Sequence, residues 1–216
     1  MFTFSLLFTG YIAANLNPFL SGVTLRPGCA HACLDHANCS SFFYDSNSGD
    51  CYLEKYVYVA SDQLLGREGI QYYSQLNSAC PATYIYSRYT NQCLRLYRSP
   101  LMRFRDAQPK CGEDSGHIAF IKSEDDNIQA SIVANDNHVW IGLGREDINA
   151  GWRWTNGHSL GPYNNWSPGL ENSSDQIYAR MFSDGMWGGS GIAMELSALC
   201  EIDVEVEDTA LWCEDK

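Results

Sequence analysis

Apolar and polar positions follow several rhythms along this chain. Residues 2–14 form a mostly apolar, uncharged run that ends in Ala13 and Ala14. The run reads as the core of a secretory leader, residues 1–14, cleaved after Ala14, or as a strand over residues 2–12. The basic residues that normally precede a leader core are absent. Asn15, Asn17 and Pro18 follow at once and argue against a membrane anchor. Cys29 and Cys33 stand at i and i+4, on one face of a short helix. Residues 39–44 and 51–53, with a polar turn between them, predict a hairpin beside that helix. Residues 71–79 read as a linker, with a domain boundary near residue 77. Further on, Phe104, Ala107 and Cys111 share one face of a helix predicted over residues 101–111, which Pro109 should fray or kink. Residues 116–121 alternate as a strand. Ser123 followed by Asp126 marks a helix start, continued by Ile128, Ile132 and Val133. Residues 140–143 read as a buried strand and 152–154 as another, closed by the turn Asn156-Gly157. From Glu201 to Glu207 acidic and apolar residues alternate, as in a half-buried terminal strand.

Composition narrows the class. With 216 residues and 45% apolar positions the chain can build a real core. A net charge of −12 disfavours nucleic acid as a partner, and no apolar run is long enough for a membrane span. Nine cysteines beside three glycosylation sequons, at Asn38, Asn165 and Asn172, indicate an oxidising, extracellular compartment. Charge is uneven: residues 88–110 hold six bases and one acid, whereas 19 acids and five bases follow from Glu113 onward. Such a basic run reads as a solvated face, or as a patch that steers an anionic ligand. Cys29, His31, Cys33, His36 and Cys39 have the spacing of zinc ligands, but thiols in an oxidising compartment become disulfides, so no metal or other cofactor is expected. Four cysteines allow three pairings, and spacing alone does not choose among them.

The helix and hairpin, with Cys-x3-Cys at 29–33, Cys-Ser-Ser-Phe-Phe-Tyr at 39–44 and Cys-Tyr-Leu at 51–53, resemble the PAN/apple family over residues 18–76. Residues 69–73 look like that family's closing strand. The resemblance implies nested bridges, Cys29–Cys51 outside Cys33–Cys39, and leaves the first strand either at residues 19–25 or missing.

Residues 80–202 resemble the C-type lectin-like domain. Cys80-Pro81, Phe104-x-x-Ala107-x-x-x-Cys111, Gly116-His117-Ile118-Ala119, Trp140-Ile141-Gly142-Leu143, Trp154-Thr155 and Cys200-Glu201 fall in its order. The resemblance implies a disulfide-stapled α+β fold with two helices, two small sheets and a long loop region from Asn156 to Trp187. It also implies bridges Cys80–Cys93 and Cys111–Cys200, the second worth roughly 4–5 kcal/mol in chain entropy. The extra loop bridge of many members is absent, since no cysteine lies between Cys111 and Cys200.

Sugar-binding members hold calcium with a Glu-Pro-Asn or Gln-Pro-Asp triplet and a later Trp-Asn-Asp. Calcium needs about six to eight oxygens. Here Trp166-Ser167-Pro168-Gly169 leads to Leu170-Glu171-Asn172, and Trp187 is followed by Gly188-Gly189. Asn172, Asp175 and Glu171 are too few for a tight site, so no metal site is expected; a non-standard set of Glu171, Asp175 and Asp184 is the rival reading. The ligand-binding candidates are Tyr163, Asn165, Glu171, Asn172, Asp175 and Tyr178, with Trp166 and Trp187 read as structural. Glycans on Asn165 or Asn172 would obstruct the customary sugar site. No nucleophile–base or phosphate-loop spacing occurs, so an enzyme is not expected. Residues 203–216 form an acidic tail in which Cys213 has no partner, which suggests a disulfide-linked homodimer. The reading is a secreted recognition protein that binds an extracellular protein or glycan without the standard calcium site. A calcium-dependent lectin and a disulfide-linked matrix component are its alternatives.

Overall fold

The computed structural model describes residues 3–22, 26–60, 63–171 and 176–204. The N-terminal part is a four-stranded antiparallel sheet in the order β1-β4-β2-β3, built from β1 (Thr3–Ile12), β2 (Ser41–Asp45), β3 (Asp50–Glu54) and β4 (Leu65–Leu76). Helix α1 (Arg26–Asp35) covers one face. Strand residues alternate between faces, and β2 uses both. Phe42 and Tyr44 pack with Cys29, Cys33 and Tyr73, while Phe43 packs with Tyr52, Ile70 and Tyr72 on the other side. Cys29–Cys51 and Cys33–Cys39 tie α1 and the turn after it to the hairpin.

The first strand lies earlier than the PAN resemblance implied. Thr3–Ile12 is a paired strand, running from Thr3 opposite Leu76 to Ile12 opposite Leu65. Phe8 stacks on Tyr72 at 4.7 Å and Phe4 meets Phe42 edge-on at 5.1 Å. The strand reading of residues 2–12 holds, whereas the first strand that the PAN resemblance implied at residues 19–25 does not: of these only Leu20 makes a bridge, to Cys51, and residues 23–25 lie outside the described set. Cleavage after Ala14 would therefore remove an edge strand. The linker is also shorter than expected, because β4 runs on to Leu76.

The C-terminal part is an eight-stranded sheet. Its strands are β5 (Ile85–Ser87), β6 (Gln92–Met102), β7 (His117–Ile118), β8 (Val139–Gly144), β9 (Arg153–Trp154), β10 (Tyr178–Met181), β11 (Trp187–Ser190) and β12 (Leu196–Asp203). The main path is β11-β10-β8-β12-β6-β5, with β7 on β12 and β9 on β8. The two small sheets implied earlier form one ladder, because β12 pairs with both β6 and β8. Helix α2 (Phe104–Gly112) and helix α3 (Glu124–Ala134) take opposite faces. Trp140, Ala198 and Cys200 point to α2, whereas Val139, Ile141, Leu143 and Leu199 point to α3. Cys111–Cys200 staples α2 to β12, and Cys80–Cys93 ties the entry segment to β6.

Local signals explain the helix ends. Ser123 caps α3 by accepting from the Asp126 N–H at 3.1 Å, and the Asp126 carboxylate accepts from the Lys122 N–H at 2.9 Å. Helix α2 begins at Phe104, three residues later than expected, because β6 extends to Met102; the helix continues past Pro109 to Gly112. The alternation at the C-terminus misleads at Glu201, which is buried and whose carboxylate accepts from the Phe120 N–H at 2.8 Å and Gln92 at 3.0 Å.

The two parts share an interface. The amide of Gln129, fully buried on α3, bonds both the N–H and the C=O of Val57, each at 2.9 Å. Asp125, one residue into α3, accepts from Lys55 and Tyr56 at 2.6 Å and from Tyr89 at 3.1 Å. Lys55 foremost holds the Asp125 carboxyl below its ordinary range. Arg88 donates to the Leu34 carbonyl near the end of α1 at 2.9 Å.

Candidate functional site

The loop region between β9 and β11 is organised around Trp187, which is fully buried. Trp154, Tyr163 and Trp166 meet it edge-on, with ring centroids 5.7–6.2 Å away. Its indole N–H donates to Asn127 Oδ1 of α3 at 2.7 Å. Its backbone N–H donates to the Asn165 carbonyl at 2.7 Å, and its own carbonyl accepts from Ser167 at 2.8 Å. Asn165 and Asn127 both donate through Nδ2 to the Gly185 carbonyl, at 2.8 and 3.1 Å. Trp166 packs on Trp152 at 4.8 Å. The buried polar atoms of Trp187, Asn127 and Asn165 named here thus find partners in neighbouring segments, as burial demands, whereas the Trp166 indole N–H has no partner among the described residues.

The candidate residues divide. Tyr163 is half-buried against Trp187, and burial raises its phenol pKa. Asn165 is half-buried, with its amide nitrogen already donating to Gly185. Glu171 is exposed, and its carbonyl accepts from the Trp152 indole at 3.3 Å. Asn172 and Asp175 lie outside the described residues, as does Cys213. Tyr178 does not join this face. It stacks on Phe104 at 4.0 Å, because its position on β10 turns it toward the α2 side of the sheet. Asn38 is exposed in the turn after α1.

The space beside the two glycines that follow Trp187 is occupied. A Cβ on Gly188 would lie 2.6 Å from the Phe182 ring, and one on Gly189 would lie 2.4 Å from Gln176 Oε1. Both glycines are buried, so side-chain oxygens there would displace packed neighbours. Leu170 sits 3.4 Å from the same Gly188 position. Asp184 is spent on a turn, accepting from the Met186 N–H at 3.0 Å. Among the described residues no three His, Cys, Asp or Glu side chains gather as metal ligands. A guanidinium holds the loop. Arg145 is nearly buried and packs on the Trp152 ring at 4.6 Å. It donates to the Gln176 carbonyl at 3.0 Å and to the Ile148 carbonyl at 3.1 Å.

Sequence reasoning missed Asn127, Gln129 and Arg145. Asn127 had a signal, since it lies at i−3 and i−7 from Ala130 and Ala134 on the buried face of α3. Gln129 and Arg145 had none, because the Val57 backbone and the Gln176 carbonyl that they bond lie in distant segments.

Comparison with known proteins places these features in a family. Residues 10–78 match the PAN domain and residues 101–202 the lectin C-type domain. The chain therefore carries a PAN domain followed by a C-type lectin-like domain. It is 29% identical over 144 residues to the secretory phospholipase A2 receptor of Oryctolagus cuniculus, covering 62% of this chain and 10% of that protein. The human secretory phospholipase A2 receptor is 30% identical over 96 residues, covering 43% and 6%. The chain thus spans about a tenth or less of the length of these relatives. Among solved structures, the carbohydrate-recognition domain of cow CD23, determined in the presence of a GlcNAc2Man3 oligosaccharide, superposes with a TM-score of 0.53 at 25% identity, covering 59% of this chain and 98% of that one. Human lithostathine gives 0.51 at 22% identity, covering 58% and 91%. No helix among the described residues is long and apolar enough to cross a membrane.

Proposed function

We propose that this chain is an extracellular recognition protein whose lectin-like domain binds a protein or glycan without the standard calcium site. The observation that carries the reading is the filling of positions 188 and 189 by Phe182 and Gln176, where further side-chain oxygens would have to enter. Arg145 adds support, because an internal cation already holds the loop carbonyls that would otherwise be left unpaired. Four disulfides among the described residues favour an oxidising, extracellular location. The relatives' name makes a protein the first ligand class to screen.

We read no enzyme here. His117, for instance, stacks on Phe120 at 4.0 Å and faces Asp203 at 3.3 Å, with no nucleophile in that arrangement. The test is an array of glycans and extracellular proteins probed with and without EDTA. Ligand capture should survive chelation; loss of capture in EDTA, restored by calcium, would establish the calcium-dependent lectin instead.

A further inference from the structure

The contact between the two domains leaves a cavity of about 960 Å³, lined from both sides. Leu94 of β6 and Val133 of α3 are buried beneath it, while Val59, Ile85 and Leu96 are only half-buried. Phe8 of β1 borders it from the PAN side, and the cavity is open to solvent. Val59, Ile85 and Leu96 therefore leave apolar surface that the fold has only partly covered, beside polar surface of similar extent. The volume is of the size that houses small ligands, roughly 300–1,000 Å³.

Its charge is unusual for this molecule. The chain has 26 acids against 14 bases, yet the described lining residues include Arg95 and Arg98 and no Asp or Glu. Arg95 is engaged: it pairs with Asp114 at 3.0 Å, donates to Thr83 at 2.9 Å and lies 4.1 Å from the Tyr97 ring. Arg98 is exposed, and its guanidinium has no acidic partner among the described residues. Both belong to the basic run at residues 88–110, which the loop face does not use.

We propose that this interdomain cavity binds an anionic amphiphile, its apolar body on Val59, Ile85 and Leu96 and its acidic head on Arg98. A guanidinium fork suits a carboxylate, sulfate or phosphate head, while the floor selects an alkyl or similar apolar body over a sugar. The proposal uses none of the loop geometry, so it stands or falls separately from the calcium-free reading.

The test is a fluorescence titration of the full chain with dansylated undecanoate, followed by competition. Saturable binding is expected at one site. Decanoate should displace the probe, whereas decylammonium and inorganic phosphate should not. Arg98→Glu should weaken binding at least about tenfold, the scale of one charge-assisted contact, with an unchanged melting temperature, since Arg98 is exposed. Leu96→Glu should abolish binding. Absence of saturable binding, equal displacement by decanoate and decylammonium, displacement by phosphate alone, or an unaltered Arg98→Glu would each overturn the proposal. If Leu96→Glu fails to fold, Arg98→Glu still decides.

Discussion

Asn127 and Gln129 lie two residues apart on α3, both buried, and they do different work. Asn127 holds the indole of Trp187, while Gln129 holds the backbone of Val57 in the other domain. Asn127→Ala leaves the buried indole N–H unpaired, a cost of about 1–3 kcal/mol. Urea denaturation should show a loss in that range; a change under about 0.5 kcal/mol would mean that Trp187 is held by packing alone. Glu54, at the end of β3, titrates in an unusual range. Burial pushes its carboxyl up to about 7, outweighing bonds from the Lys55 and Tyr56 N–H groups and the Tyr58 hydroxyl. Its ordinary value is 4.5. Between these values the folded state keeps a proton that the unfolded state has released, so stability falls as pH rises through the interval. Denaturation curves from pH 4 to 8 should show this decline, and Glu54→Gln should flatten it. An equal slope in the variant would assign the decline to another group. Asn127 could have been suspected from its place on the buried face, but Glu54 could not, because its burial arises only on folding.

At the level of elements, β1 is the most consequential. Its apolar, uncharged run is compatible with a leader or a strand, and the choice is made only through β4, more than 50 residues away. Ile12 and Ala13 are buried, and Phe4 and Phe8 contact Phe42 and Tyr72. Removing residues 1–14 should therefore destabilise the PAN domain by at least about 2–5 kcal/mol, the cost of losing one large core side chain. Thermal melts of the shortened chain would measure it, and a secreted protein whose amino terminus is Asn15, stably folded, would restore the leader reading. The hairpin of β2 and β3 and the cap at Ser123 were legible because their partners are a few residues away. Glu201 was not: an acid in an alternating strand reads as outward-facing, and only the Phe120 N–H and Gln92 make an inward carboxylate tolerable.

For the molecule as a whole, the interface matters more than the short connection between β4 and β5. Gln129→Leu removes both bonds to Val57 and leaves two buried backbone groups unpaired, at about 1–3 kcal/mol each. Calorimetry should show one transition for the native chain and two for the variant; a single transition in both would mean that other contacts suffice. Cys213 as an intermolecular bridge, and Asn38 as an occupied glycan site beside a bare Asn165, are proposals at this same scale. Non-reducing electrophoresis and peptide mass mapping read them directly. A monomer with a free Cys213 thiol would end the first, and a glycan on Asn165 the second.

Spacing along the chain was enough for the hairpin and the buried strand at Val139–Gly144, since periodicity and short-range caps are local properties, while the resemblance of its motifs to two families supplied the PAN and lectin-like order. Three features arose only on folding: the edge strand β1, the closure of positions 188 and 189 by Phe182 and Gln176, and the interdomain cavity beside Arg98. Each depends on which side chains come to occupy a given space, and that is decided by contacts between segments that periodicity does not relate.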